Sequence, residues 1–287
     1  MSERTQGGES AQGSAARFGG TLERGLAGDY RIAIGATLAE AWRLTRGFKR
    51  ACLTGLVVLF LALSVIWLAI AVIARQFGGS LLESEALVGL VIELLFVAAV
   101  YPLLIGPVMM GVRRAVGLPT PAKMAFGYMN VAVRVIVASL AIALVTFLTT
   151  IVFVVPGLYL DAGSLLGTVL SLLSVLPGVY LTVGYALVVP LIADRKLGPW
   201  PAMEVSRRAI TKHWFAVAGV LVAASLIVGS SALPPALGAA IALPTLGVDA
   251  AIVVAIVLGA GLVWTVPMAI VVVGVLYRDV FGVTERS

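Results

Sequence analysis

Charged residues and catalytic or metal-binding side chains are scarce in this chain of 287 residues. Only 12% of its residues are charged and 61% are apolar, against about a quarter and a half in soluble proteins. The single cysteine, Cys52, excludes an internal disulfide and a thiolate metal cluster. The single histidine, His213, has only Lys212 and Trp214 beside it, so we predict no metal, no cofactor and no catalytic site.

Long apolar runs occupy most of the remaining sequence. A helix needs about 20 apolar residues to cross a hydrocarbon core of about 30 Å, and backbone amides in lipid must bond within their own segment. The sequence therefore predicts an all-α bundle of six transmembrane helices. The runs are residues 51–74, 86–112, 135–155, 164–193, 215–233 and 248–276.

Lys and Arg are distributed very unevenly between these runs. Nineteen of the 20 cations lie in alternate segments, and Arg75 alone lies on the opposite side. Because positively charged loops stay on the cytoplasmic face, both termini are predicted to be cytoplasmic. Residues 1–28 are predicted to be a disordered tail, residues 29–282 the membrane domain, and residues 283–287 a second short tail.

The chain repeats about every 80 residues, which predicts three hairpins. Each hairpin follows a mixed segment with the pattern of an amphipathic helix that lies on the membrane: residues 29–50, 120–130 and 200–212. The first has an apolar face of Leu38, Ala41, Trp42, Thr45 and Phe48. The alternative is that these segments are ordinary basic loops.

Basic and aromatic side chains in and beside these segments are typical of contacts with anionic lipid headgroups. Because the cations flank apolar runs, we expect no nucleic acid as a partner. The predicted headgroup contacts are Trp42, Arg43, Arg46, Lys49, Arg50, Arg113, Arg114, Lys123, Trp200, Arg207, Arg208, Lys212, His213 and Trp214.

Proline recurs in the helix that returns to the basic side in each hairpin. Pro107, Pro190 and Pro267 are predicted to kink these helices, because proline lacks a backbone donor. Pro177 and Gly178 lie in the middle of the fourth run and predict a kink or break there.

Three segments resemble a known family. They are residues 176–181 (LPGVYL), 198–208 (GPWPAMEVSRR) and 277–282 (YRDVFG). They are similar to the membrane domain of glycerophosphodiester phosphodiesterases and of a wider set of bacterial six-helix proteins. The resemblance implies a six-helix fold in the bacterial cytoplasmic membrane. The soluble barrel that carries the chemistry in the fused proteins has no counterpart here, so the resemblance implies no catalytic residue.

Glu93 is the only charge well inside an apolar run. Inserting an ionisable group there costs on the order of 2 to 3 kcal/mol. One interpretation is a proton or cation site; the other is a protonated carboxyl, or one paired with Arg75.

These patterns favour a non-enzymatic integral membrane protein that binds lipid or another membrane protein, as an accessory or envelope-organising component. A small transporter or channel that uses Glu93 is the alternative. A lipid-modifying enzyme is a third, for which the interface offers only Asp194, Glu204 and His213.

Overall fold

A computed structural model describes residues 17–58, six further helical positions between 61 and 72, and residues 103–158 and 164–284. Arg75, Glu93, the outer parts of the first two predicted spans and residues 1–16 lie outside the described residues. The backbone is described without side chains over much of 232–259.

Helices make up most of the described chain. Two 3-10 turns, Ala122–Phe126 and Met129–Val131, lead directly into α5, and two short strands pair antiparallel, β1 Arg17–Phe18 with β2 Val283–Thr284. The helices are α1 Leu22–Ala27, α2 Ile34–Leu44, α3 49–58, α4 103–115, α5 Ala132–Leu158, α6 Leu165–Leu173, α7 Val175–Gly184, α8 Val188–Arg195, α9 Pro199–Thr211 and α10 Trp214–Phe281.

Within the described residues, four helical stretches are long and apolar enough to cross a membrane. They are Ala122–Pro156, Leu165–Arg195, Trp214–Ser231 and Ala260–Phe281, and they overlap the third to sixth predicted spans. Their outer faces carry large apolar side chains that the protein leaves mostly uncovered, such as Phe147, Val152 and Leu226, each at least 60% exposed. Such a surface suits lipid and not water. The chain is therefore a helical protein suited to a membrane.

Helix α10 doubles back on itself. The hydroxyl oxygens of Ser231 and Thr265 lie 3.0 Å apart, whereas a straight helix would separate residues so spaced by about 50 Å. Both ends of α10 lie beside α1, since His213 bonds to Gly28 and Phe281 packs on Gly25. Its two arms, 214–231 and 260–281, therefore run side by side in opposite directions.

The buried core gathers at the end of the bundle that carries the cations. Residues of α2, α4, α8, α9 and the second arm of α10 share one hydrophobic cluster there, which includes Phe48, Met109, Leu191 and Tyr277, all fully buried.

Two glycines let α4 and the second arm of α10 touch through their backbones. A Cβ atom on Gly274 would lie 2.2 Å from the carbonyl oxygen of Gly111, and one on Gly111 would lie 2.4 Å from that of Ile270. Only glycine allows so close a crossing, as in other membrane helix pairs.

The predicted terminal tails need correction. Residues 17–28 are not disordered, because they form β1 and α1 and because Gly25 is buried against Phe281. Val283 and Thr284 likewise belong to β2, which pairs with Arg17 and Phe18 of β1.

The predicted lipid-facing side of α2 also needs correction. Ala41, Thr45 and Phe48 are buried in the protein, whereas Trp42 is 44% exposed. Lipid tails and protein interiors are similarly apolar, so an apolar side chain can pack equally well against either. Small side chains also permit close contact between helices. Helix α9 similarly buries Ala202, Ser206 and Ala209 against the bundle.

Candidate functional site

Two arginines on α9 share one carboxylate. Arg207 places Nη2 3.0 Å from each oxygen of Glu204, and Arg208 donates through Nε to Oε1. The donors sit at i+3 and i+4 from Glu204, on one face of the helix. These hydrogen bonds, first that of Arg208, hold the pKa of Glu204 below its usual range. Two cations and one anion leave this cluster with a net positive charge.

A cavity of about 410 Å³ opens beside this cluster, between α1 and α9. Its walls are Leu26, Arg207, Arg208, Thr211 and Lys212. Lys212 is exposed and adds a further positive charge that no described residue neutralises. We call these five residues the cation pocket. Its charge and its open mouth suit an anionic group on a larger molecule.

A pair of aromatic rings borders the cation pocket. Tyr180 and Trp214 stack with ring centres 5.9 Å apart, and the Trp214 indole donates to the Tyr180 carbonyl at 3.4 Å. The Tyr180 hydroxyl lies 3.4 Å from Oγ1 of Thr211, which itself lines the pocket. Phe215 stands edge-on to Trp214 and is 85% exposed. Rings of this kind concentrate at the boundary between water and lipid.

His213 has a structural partner. Its Nε2 donates to the carbonyl of Gly28 at 2.9 Å, and its ring stands edge-on to Tyr30. The Tyr30 hydroxyl donates to the carbonyl of Ala209, and burial raises the pKa of Tyr30 to about 12. These bonds fix the segment after α1 against the start of α10 and hold one wall of the cation pocket in place.

Other predicted headgroup residues divide into two groups. Arg114 donates to the carbonyls of Leu44 and Arg46 and so caps the end of α2, and Arg113 donates to that of Pro119. The side chains of these two arginines are therefore bonded to backbone carbonyls of the protein. The others whose side chains remain exposed are Arg43, Arg46, Arg50, Lys123 and Trp200.

Lys49 lies over an aromatic ring. Its ammonium group faces the ring of Trp264, which stacks on Trp42 with centres 6.2 Å apart. Both indoles remain about half exposed. The arrangement is a cation–π contact at the protein surface, which covers part of the Lys49 charge.

The predicted proline positions differ in their local structure. Pro177 and Pro190 each occupy the third position of a helix, after the interruption at Ser174 and the turn 185–187 respectively. Amides in the first helical turn have no intrahelical partner, so proline is tolerated there. Gly178 follows in α7, while Pro107 and Pro267 lie inside α4 and α10.

Two polar clusters were not predicted from the sequence. Arg278 binds Glu40 and Asp279, and the fully buried carboxylate of Asp194 accepts from the hydroxyls of Tyr277 and Thr284. Arg195 lies 3.3 Å from Asp194 and also donates to the carbonyl of Phe281. Partners up to 238 residues apart leave no local pattern in the sequence.

Asp194, Glu204 and His213, the three interface residues available to an enzyme, bond to separate partners. Asp194 is held by Tyr277 and Thr284, Glu204 by two arginines, and His213 by Gly28. In the part of the chain that the structure describes, no three His, Cys, Asp or Glu residues lie close enough to hold a metal. No protein-family model, curated protein or solved structure matches the chain.

Proposed function

We propose that this chain is a non-enzymatic integral membrane protein that binds anionic lipid headgroups through the cation pocket. In this proposal it acts as an accessory or envelope-organising protein of a bacterial cytoplasmic membrane, alone or with another membrane protein. The observation that carries the proposal is the position of Arg207, Arg208 and Lys212 directly beside the Tyr180–Trp214 pair. Positive charge next to interfacial aromatic rings is the arrangement that recognises lipid phosphate.

The proposed topology has six spans in three hairpins with both termini in the cytoplasm. Support comes from the 19 cations in alternate segments and from the return of both ends of α10 to α1. Helices α2 and α9 and the turns 122–131 precede the three hairpins, and we place them at the cytoplasmic boundary of the membrane. The resemblance to phosphodiesterase membrane domains stays a hypothesis that agrees with this arrangement.

A transporter or channel is the second candidate. The fourth predicted span is interrupted at Ser174 and again at residues 185–187. Discontinuous helices of this kind form substrate sites in secondary transporters, because broken helices free backbone groups within the membrane. Glu93 would be the ionisable group of such a site.

Binding of lipid to the purified full chain tests the proposal directly. Native mass spectrometry would compare phosphatidylglycerol with zwitterionic phosphatidylcholine of the same acyl chains. Each cation near anionic lipid contributes about 1 kcal/mol, so Arg208→Gln with Lys212→Gln should weaken phosphatidylglycerol binding roughly 30-fold. Phosphatidylcholine binding should stay unchanged.

Lys123→Gln is the control, because it removes an exposed cation that lies outside the cation pocket. We expect this variant to keep its preference for phosphatidylglycerol. Equal losses in the control and in the double variant would indicate a diffuse basic surface, and would contradict a defined headgroup site.

A further inference from the structure

An open apolar groove lies between α5, α7 and the first arm of α10. Its volume is about 690 Å³, within the usual range of small-molecule sites, roughly 300 to 1,000 Å³. Its walls are mainly branched aliphatic side chains, with a few hydroxyls among them. The lining residues used below are Val179, Thr182, Leu221, Val222, Ser225 and Leu226.

The groove adjoins the cation pocket through the aromatic pair. Val179 of the groove precedes Tyr180 in α7, and Leu221 stands two turns along α10 from Trp214. On the other side of the pair, Thr211 of the cation pocket contacts Tyr180. The order along this surface is positive charge, then aromatic rings, then an apolar groove. Ser225 lies about 16 Å along the helix from Trp214, so the groove reaches well beyond the rings.

We propose that the groove holds one acyl chain of the anionic phospholipid whose phosphate occupies the cation pocket. This inference rests on the proposed headgroup site and adds the lipid's chain and orientation to it. A phospholipid carries anionic, interfacial and apolar parts in the same order as this surface. A helix from a partner protein would match the groove but not the adjoining charge.

The two parts of this site have different roles. Lipid tails are as apolar as leucine, so moving a chain from bilayer to groove gains little hydrophobic free energy. The phosphate contacts therefore provide most of the affinity, and the groove determines where the chain lies. Filling the groove should displace the chain and leave headgroup affinity nearly intact.

Gly178 offers a way to fill the groove. It lines the cavity, and the nearest atom to a Cβ placed there is Cγ2 of Thr146 at 3.8 Å. Gly178→Leu would therefore enter the groove without a backbone clash. Gly229→Leu is the matched control, since a Cβ at Gly229 meets nothing within 4 Å and the residue does not line the groove.

The experiment uses the full chain in nanodiscs that contain phosphatidylglycerol with a photoactivatable diazirine in the middle of one acyl chain. After irradiation, mass spectrometry locates the labelled peptides. We expect labels on Val179, Thr182, Val222 or Leu226 in the parent chain and in the control variant, Gly229→Leu. In Gly178→Leu, groove labelling should fall about tenfold, the change that 1.4 kcal/mol of steric cost produces.

Labels spread evenly over other exposed apolar residues, such as Leu144 and Phe147, would overturn the inference. So would unchanged groove labelling in Gly178→Leu. Phosphatidylglycerol affinity is measured on the same samples. Weak, charge-independent binding in the parent chain would contradict the headgroup site, whereas strong binding with misplaced labels would contradict only the groove.

Discussion

The guanidinium group of Arg278 and the carboxylate of Glu40 are joined by two hydrogen bonds, of 2.6 Å and 3.0 Å. Arg278 also donates to Asp279 and to the carbonyl of Ala115. One side chain near the end of α10 therefore ties together α2 and α4. The hydrogen bond from Arg278 lowers the pKa of Glu40, so folding favours its ionised form.

The Glu40–Arg278 pair should make stability depend on pH. Folding lowers the pKa of Glu40, so the pair contributes its full stabilisation above the unfolded pKa of about 4.3. This stabilisation is lost as the pH falls through the folded pKa. Glu40→Gln should reduce the free energy of unfolding in detergent at pH 7 by about 1 to 3 kcal/mol, and so lower the thermal midpoint. The variant should also lose less stability than the parent chain as the pH falls into the acid range.

Asp29→Asn is the control for this experiment. Asp29 pairs with Arg24, and both side chains are more than half exposed. Exposed pairs contribute little, so its melting profile should follow that of the parent chain. A Glu40→Gln protein that melts like the parent at pH 7 would show that the pair does not stabilise the fold.

The contact between Gly111 and Gly274 should tolerate no side chain. Gly274→Ala would place a Cβ 2.2 Å from a backbone oxygen, so α4 and α10 must separate. We expect a loss of about 1 to 3 kcal/mol, which is typical of overpacking. Gly229→Ala, at an open helical position, should be neutral or stabilising. Thermal unfolding of both variants checks this, and equal midpoints would contradict the close crossing.

The six-span topology can be tested by reporter fusions. Fusions after Arg114, Lys196 and Ser287 should report a cytoplasmic position, because they lie within cation-bearing segments. Fusions near residues 79, 161 and 245 should report an external position. An external C-terminus would refute the proposed orientation.

Glu93→Gln distinguishes the two candidate functions. If Glu93 is merely tolerated, the amide removes an insertion cost, and the variant should rescue any phenotype of a deletion strain. If Glu93 couples transport, the variant should fold and fail to rescue, because an amide cannot exchange a proton. We predict rescue. A stable, well-expressed variant without rescue would favour the transporter.

Several features of the fold were predictable from the sequence because they depend on local order. The third to sixth apolar runs overlap the four helical stretches able to cross a membrane, since lipid requires each span to satisfy its own backbone. Residues 200–212 were likewise expected to form an amphipathic helix, and α9 covers Pro199–Thr211. Such patterns lie within one segment and need no knowledge of its neighbours.

The tertiary structure decided what the polar and small residues contact. Sequence periodicity showed that Ala41 and Phe48 share a face of the first segment, but their burial depends on which helices come to lie beside that face. The cation pocket exists because α1, held by the His213–Gly28 bond, lies against Arg207 and Lys212. The sequence by itself determined the apolar helices and the side on which the cations gather, because hydrophobicity and charge act segment by segment. The pocket, the Glu40–Arg278 pair and the Gly111–Gly274 crossing needed the fold, because their partners are far apart in the chain.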